Sequence, residues 1–353
     1  MKANNPKGFW QSLERIPGLA AVQAEWRIYM GDEFESAKGF LRPNGKLASS
    51  HPCTIQRGCG CYHDVVIHGD DDIVAVCRCG RECESFPLQR SDIAVYELNR
   101  LSLFNAIANA FNLVKETESY KNYPNTMLIG AYSPFAGFRF PVYLTIQLEA
   151  DDFVSAVNSL LGRINKPFIL MSPTRDLYSS QTEILLSNRK SAFVPLLENV
   201  NITENRNIRL LRPFEEIMLQ FRTLNLPSSS VDGALAFFPT PADATWRDVS
   251  IKFKDGYTVS IKVKTISGVF NYTQMGMANK KNSNPTVQWD LLYTFANEHG
   301  TLDWTSSQAH RRNKKRREIL AANLRTFFRI EGDPFRLTKD GKGWQSCFQL
   351  HSE

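Results

Sequence analysis

Residues 53–83 read CTIQRGCGCYHDVVIHGDDDIVAVCRCGREC and contain six of the seven cysteines in the 353-residue chain. The seventh, Cys347, stands alone near the C-terminus. The chain begins MKANNPKGFWQSLER, which lacks the apolar segment of a secretory signal, so we expect a reducing, cytoplasmic location. In a reducing compartment, clustered thiolates bind metals before they form disulfides. The cluster therefore predicts a zinc site.

Two short runs rich in β-branched residues predict an antiparallel hairpin inside this stretch. Residues 62–68 (YHDVVIH) and 73–76 (IVAV) flank the turn-forming residues 69–72. Closing the hairpin brings one C-x-C pair beside the other, with Cys53 and Cys83 just outside the strands. This layout looks like a zinc ribbon, in which Zn²⁺ takes four tetrahedral thiolates at about 2.3 Å.

The choice of ligands is not settled by periodicity, because both side chains of a C-x-C pair point to the same strand face. We favour Cys53, Cys61, Cys77 and Cys83 as the four ligands, because Cys61 and Cys77 lie directly beside the hairpin strands. Cys59 and Cys79 are the alternates. His51, His63 and His68 are further candidates, although a lone strand histidine is more often a surface residue. No H-x-E or HExxH motif lies nearby, so we expect a structural ion; an iron–sulfur cluster is the alternative.

Positive charge is concentrated at one place in an otherwise balanced chain. The net charge is +6, and six cations fall within residues 311–317: Arg311, Arg312, Lys314, Lys315, Arg316 and Arg317. The remaining 36 basic residues equal the 36 acidic ones. A local cluster of this kind favours an anionic partner. No apolar run approaches the roughly 18 residues of a membrane span, so no membrane partner is expected.

Local patterns predict a multidomain chain of mixed α+β and α/β type. The expected parts are an N-terminal helical segment (1–50), a zinc-ribbon-like module (51–90), a central α/β domain (91–226), a proline-rich linker (227–245) and a C-terminal domain (246–353).

The central domain begins with Ser91-Asp92 as a helix cap before a helix-period segment, residues 93–114. Strand and helix patterns alternate after it. The domain has no glycine-rich phosphate loop. Residues 172–176 (SPTRD) follow a candidate strand, where α/β sheets bind ligands, or they form a loop leading to a helix cap.

The sequence of the C-terminal domain predicts, in order, a hairpin, a helix over 286–299, a short extended segment, a long helix over 307–328 and a terminal hairpin. Its motifs LLYTFANEHG, TLDW, ILAANLRTFF and KDGKGWQSCFQL resemble the winged-helix DNA-binding domain of OmpR-type response regulators, over about residues 246–351. The resemblance implies a winged helix on double-stranded DNA. A helix with outward cations fits the major groove, so Arg325 and Lys342 join the 311–317 cluster as predicted DNA contacts.

These features together predict a non-enzymatic, zinc-stabilised DNA-binding protein, most simply a transcriptional regulator. The zinc hairpin and the α/β domain would serve sensing, homodimerisation or docking of a protein partner. One alternative is an adaptor subunit of a defence or mobile-element complex that grips DNA or protein. Another is a degenerate nuclease, which is disfavoured because the strands carry no paired carboxylates with a nearby lysine.

Overall fold

The computed structural model describes residues 7–55, 60–69, 72–79, 83–116, 123–203, 206–226, 237–279, 281–303 and 313–352. The chain has a mixed α/β fold with several small sheets, and it divides into two compact units. The first unit comprises Met1–Tyr132 and Phe140–Leu226, and the second comprises Ser133–Arg139 and Pro227–Glu353. Among the described residues, no helix has the length and apolar character needed to cross a membrane.

The described part of the first unit combines helices with four small sheets. Its helices are α1 (Phe9–Leu13), α2 (Gln23–Met30), α3 (Phe34–Ala37), α4 (Arg100–Ala110), α5 (Ala150–Arg163), α6 (Ser180–Asn188), α7 (Leu196–Asn199), α8 (Phe214–Ile217) and α9 (Leu219–Asn225). Its first strands are β1 (Ala20–Val22), β2 (Leu41–Leu47), β3 (Ser50–Pro52), β4 (Tyr62–Ile67), β5 (Ile73–Val76), β6 (Phe86–Leu88) and β7 (Ala94–Leu98). The others are β8 (Thr126–Tyr132), β9 (Phe140–Thr145), β10 (Ile169–Ser172), β11 (Ala192–Pro195), β12 (Val200–Thr203) and β13 (Asn207–Leu210). The sheet orders are β1-β7-β2, β3-β4-β5-β6, β11-β10-β9-β8 and β12-β13.

A strand stands where the sequence periodicity predicted the beginning of a helix. β7 pairs antiparallel with β1 on one side and β2 on the other. The helix α4 begins only at Arg100, where the side chain of Asn99 accepts a hydrogen bond from the backbone N–H of Ser102. Val95 and Tyr96 favour a strand, and both neighbouring strands come from the segment expected to be a separate helical part. Long-range pairing therefore joins residues 1–50 to the region after the cysteine module.

The central α/β sheet follows the predicted alternation closely. β9, β10 and β11 are parallel, and β8 is an antiparallel edge strand. α5 and α6 cover the sheet with a buried cluster that includes Phe153, Leu160 and Leu186. The last strand of this sheet, β11, ends at Pro195, and two short helices, α8 and α9, follow near the end of the unit.

The cysteine module is a four-stranded antiparallel sheet. β4 and β5 form the predicted hairpin, while β3 and β6 extend it on either side. Its buried apolar core is small and consists of Ile73, Ala75, Leu88 and Ile93.

In its described residues, the second unit contains two α-helices and two further sheets. Its elements are β14 (Val249–Phe253), β15 (Thr258–Val263), β16 (Ile266–Asn271), α10 (Val287–Asn297), β17 (Thr301–Asp303), α11 (Asn313–Phe328), β18 (Phe335–Leu337), β19 (Gly343–Ser346) and β20 (Gln349–His351). The sheet orders are β16-β15-β14-β20 and β17-β19-β18. The predicted hairpin β14–β15 is present, and β20 joins it by pairing parallel to β14. Both helices pack on one core through side chains such as Trp289, Phe295, Leu324 and Phe328.

Part of the predicted linker lies in this core. Phe238 is 1% exposed, its N–H donates to the carbonyl of Phe327, and its ring contacts those of Phe270 and Phe328. Residues 227–236 lie outside the described residues. The second unit therefore uses residues that composition alone assigned to a connection.

Candidate functional site

One face of the cysteine sheet gathers the predicted metal donors. His51 pairs with His63 across β3 and β4. Continuing the antiparallel register of β4 and β5 places Cys77 opposite His63 and Cys79 opposite Cys61. His51 and His63 are cross-strand partners and share one face of the sheet, and the continued register gives Cys61, Cys77 and Cys79, just beyond the strand ends, positions of the same parity.

Three donors on this face have the spacing of ligands on one ion. The sulfur atoms of Cys53 and Cys83 are 3.7 Å apart, and Nε2 of His63 lies 3.6 Å from the sulfur of Cys83. All three ligand atoms lie within 4.8 Å of one another. Tetrahedral zinc with its usual bond lengths separates two sulfurs by about 3.8 Å, and a sulfur from an imidazole nitrogen by about 3.6 Å. The residues present therefore fit three corners of a zinc tetrahedron.

The predicted cysteines divide into two groups in the structure. Cys53 and Cys83 belong to the three-donor group. The other described thiols of the module are half-buried, and they are Cys61, Cys77 and Cys79. The sulfurs of Cys77 and Cys79 are 3.1 Å apart, which is shorter than the edge of a zinc tetrahedron. Cys59, the other alternate, lies outside the described residues.

Two of the module's three histidines, His51 and His63, are buried, contrary to the expectation that strand histidines lie at the surface, whereas His68 is exposed as expected. His63 is 0% exposed and His51 is 3% exposed, and both rings contact Phe86. Burial lowers the pKa of His51, although the hydrogen bond from its Nδ1 to the carbonyl of Pro52 works against this. The signal missed in the sequence is strand parity: His63 is two residues from Cys61, so it shares the ligand face.

The second candidate site is the outward side of α11. Lys314, Lys315 and Arg325 are exposed there, as is the acidic side chain of Glu318. The opposite side of the helix is buried through Leu320, Ala321, Leu324, Phe327 and Phe328. The described helix thus separates an apolar side from a side with three cations and one anion.

Arg317, predicted as a DNA contact, is held inside the second unit. Its guanidinium donates to the carboxylate of Asp333 at 2.7 Å and lies 5.5 Å from the ring centre of Trp344. The side chain is only 15% exposed. Asp333 precedes β18 and Trp344 belongs to β19, so Arg317 fastens α11 to this hairpin. Arg317 follows Lys315 by two residues, about 200° around the helix, so it faces the buried side.

The other predicted contacts have different surroundings. Arg316 is half-buried and acts on Asp290 of α10, whose pKa is raised by burial and lowered in part by this cation. Lys342 is exposed in the turn between β18 and β19. Arg311 and Arg312 lie outside the described residues.

The loop of residues 172–176 makes its polar contacts within the first unit. Both the N–H and the hydroxyl of Thr174 donate to the carboxylate of Glu14, and Arg175 forms a bidentate pair with Glu198. Burial raises the pKa of Glu14, while the bonds from Thr174 lower it. A few residues later Ser179 caps α6. These contacts favour the interpretation as a loop leading to a helix cap.

Comparison of the chain with known protein families, with curated proteins and with solved structures finds no match in any of the three.

Proposed function

We propose that the chain is a zinc-stabilised DNA-binding protein without enzymatic activity, which acts as a transcriptional regulator. The observation that carries the DNA assignment is the outward side of α11, where Lys314, Lys315 and Arg325 are exposed on a helix of 16 residues. A helix fits the major groove, which is about 12 Å wide, and cations on its outward side would contact the phosphates. Ala322 and Thr326 are exposed on the same side and are small enough for close approach to base edges.

The order of elements in the second unit supports a winged-helix arrangement. α10 is followed by Gly300, the short strand β17, the basic helix α11 and the hairpin β18–β19. Gly300 has a φ of 82°, a conformation that ends a helix without the strain that a side chain would add. β19 pairs with both β17 and β18, so the hairpin and the short strand form one three-stranded sheet, as the wing does in a winged helix.

The contacts of Arg317 give this interpretation a physical basis. Since Arg317 ties α11 to Asp333 and Trp344, the helix and the hairpin keep a constant geometry. Lys342 in the hairpin turn would then contact backbone phosphates beside the groove that α11 occupies.

The zinc assignment rests on the donors Cys53, His63 and Cys83. Their separations match a tetrahedral ion, and the module's other described thiols, Cys61, Cys77 and Cys79, are half-buried candidates for the fourth ligand. The four buried residues of the module's core are too few to stabilise a four-stranded sheet alone, so a structural ion would supply folding free energy.

Charge reversal on α11 tests the DNA assignment. The test variant changes Lys314, Lys315 and Arg325 to Glu and leaves Arg317 intact. The matched control reverses three exposed lysines of β14, β15 and their turn: Lys252, Lys254 and Lys262. We expect the test variant to lose duplex binding in fluorescence anisotropy, with the salt slope falling by about 0.9 for each lost phosphate contact. The control should bind like the wild type. Equal affinity and slope in the test variant and the wild type would refute the assignment.

Metal analysis of the purified chain tests the zinc assignment. We expect about one zinc per chain, and we expect His63→Ala and Cys83→Ser each to lose most of it, because a tetrahedron missing a donor binds weakly. The control is His68→Ala, since His68 is exposed at the end of β4. Stoichiometric iron with a visible chromophore would identify a cluster in place of zinc.

A DNA- or protein-binding adaptor is the second candidate function. It is favoured by Ile319, which is 40% exposed on the outward side of α11 next to the acidic Glu318. An apolar side chain beside an acidic one suits a protein surface better than a phosphate backbone. Binding that is independent of DNA sequence, or a protein partner that the α11 charge-reversal variant no longer retains, would favour the adaptor over the regulator.

A further inference from the structure

Two thiols of the cysteine module lie closer together than two ligands of one ion. Cys77 and Cys79 follow β5, both are half-buried, and their sulfur atoms are 3.1 Å apart. Two thiolates on one tetrahedral zinc are about 3.8 Å apart, whereas the sulfurs of a disulfide are about 2.05 Å apart. The observed distance lies between these values, so the pair fits a dithiol about 1 Å from bond formation.

The three-donor group leaves one position for this pair to fill. Cys53, His63 and Cys83 fit three corners of the tetrahedron, so a single ion has one corner left. The last pair of β4 and β5 is Asp64 with Val76, so Cys77 follows directly after the strand at the level of His63, and we assign it to that corner. Cys79 would then remain as a thiol in contact with a metal ligand.

We propose that Cys77 and Cys79 are a redox-active dithiol, which hydroperoxides convert to an intramodule disulfide. In the first step one thiolate attacks the peroxide, its S–O bond forms as the O–O bond breaks, and water leaves after protonation. In the second step the other thiol attacks the sulfenic sulfur, the S–S bond forms, and the oxygen leaves as a second water. Two thiols and one hydrogen peroxide give one disulfide and two waters, with two electrons passing from sulfur to peroxide.

Oxidation of this pair would also loosen the metal centre. A disulfide sulfur has no thiolate charge, so closing the bond removes the fourth ligand and leaves Cys53, His63 and Cys83. This consequence rests on the proposed zinc site, whereas the formation of the disulfide does not. Peroxide would then act on the stability of the small sheet through its metal.

The chain itself provides a sharp assay, because Arg78 separates the two cysteines. After denaturation and alkylation, trypsin cuts behind Arg78 and releases Cys79 in the short peptide 79–81. In the reduced protein this peptide is free and alkylated. In the oxidised protein it stays attached to the peptide that ends at Arg78, and reduction releases it. Tandem mass spectrometry then identifies the cysteine to which it is joined.

We expect full-length protein treated with hydrogen peroxide to yield the Cys77–Cys79 link, together with release of zinc to a chromogenic chelator. Cys77→Ser should abolish the link, and the matched control Cys61→Ser should keep it. A link from Cys79 to another cysteine, or oxidation of Cys77 to a sulfinic acid without any link, would overturn the proposal. Zinc absent from the untreated protein would count against the proposed metal site, while the disulfide assay would still decide the dithiol.

Discussion

At the scale of single residues, neighbouring cations of the 311–317 cluster differ in their exposure and contacts. Lys314 and Lys315 are exposed, whereas Arg317 is 15% exposed and bonded to Asp333. Two positions along a helix turn a side chain by about 200°, so Arg317 points away from Lys315, and charge counting in sequence overstates the number of free cations. Of the described members of the cluster, the two lysines are the ones fully available to a partner.

Arg317→Ala is expected to destabilise the second unit. Its ion pair with Asp333 and its packing on Trp344 are partly shielded from water, so their loss should lower the free energy of unfolding by about 1–3 kcal/mol. Lys315→Ala, at an exposed site of the same helix, should change it by less than about 0.5 kcal/mol. Urea unfolding followed by circular dichroism measures both. Equal effects of the two substitutions would show that the Arg317 contacts contribute nothing.

The candidate metal donors show how much of the site could be predicted from the sequence. The clustering of cysteines and the C-x-C spacing placed Cys53 and Cys83 among the predicted ligands, and both belong to the group that could hold a metal ion. His63 was underrated, because its burial depends on Phe86, which arrives from a strand 23 residues later. The alternation of side chains along a strand, which grouped the cysteines, also applies to His63. The burial of its side chain, however, depends on the pairing of β4 with β3 and β5, which the local sequence does not show.

At the scale of elements, the hairpin β18–β19 depends on a close approach at Gly343. A Cβ atom at this position would lie 2.5 Å from the carbonyl oxygen of Leu302 and 2.9 Å from Cα of Asp303. Both atoms belong to the backbone of β17, so they can move only if the strands separate. Gly343 therefore sets the spacing between β17 and β19.

Gly343→Ala is expected to weaken this sheet and with it the proposed contact with DNA. The overlap with β17 should lower the free energy of unfolding by about 1–3 kcal/mol or more. Gly256→Ala is the control, because a Cβ atom at Gly256 would meet nothing within 4 Å. Thermal unfolding and duplex binding of the two variants make the comparison. An unchanged melting temperature for Gly343→Ala would mean that the sheet can open at no cost.

Elements with strong local signals were predictable, and those defined by distant pairing were not. The hairpins β4–β5 and β14–β15 and the helix α10 follow from alternation, turn residues and helical spacing. β7 was taken for the start of a helix because its strand partners come from residues 47 to 77 positions earlier. β20 was assigned to the terminal hairpin, and its parallel pairing with β14 has no local signature.

At the scale of the whole molecule, the second unit is built from two separate stretches of chain. Residues 133–139 leave the first unit between β8 and β9 and belong to the second. There the guanidinium of Arg329 lies over the rings of Phe138 and Phe237, and the N–H of Ala136 donates to the carbonyl of Thr240. A boundary drawn from the proline-rich stretch alone therefore omits parts of the core.

Fragments of different length are expected to differ in stability for this reason. A fragment of residues 246–353 lacks Phe238, whose loss from a core costs about 3–5 kcal/mol. A fragment of residues 237–353 keeps this side chain against Phe270 and Phe328. We expect the longer fragment to fold and the shorter one to be marginal, as judged by urea unfolding. Equal midpoints would place Phe238 outside the cooperative unit.

The interrupted path of the chain also sets an order of events during synthesis. Phe135 and Phe138 leave the ribosome before Phe237, the ring with which both are in contact in the folded protein. Residue 237 follows residue 139 by 98 positions, which at about 5–20 residues per second is a wait of about 5–20 s. For that interval neither ring has its contact with Phe237. Slower translation of residues 140–236 would lengthen the interval without altering a single contact of the finished protein.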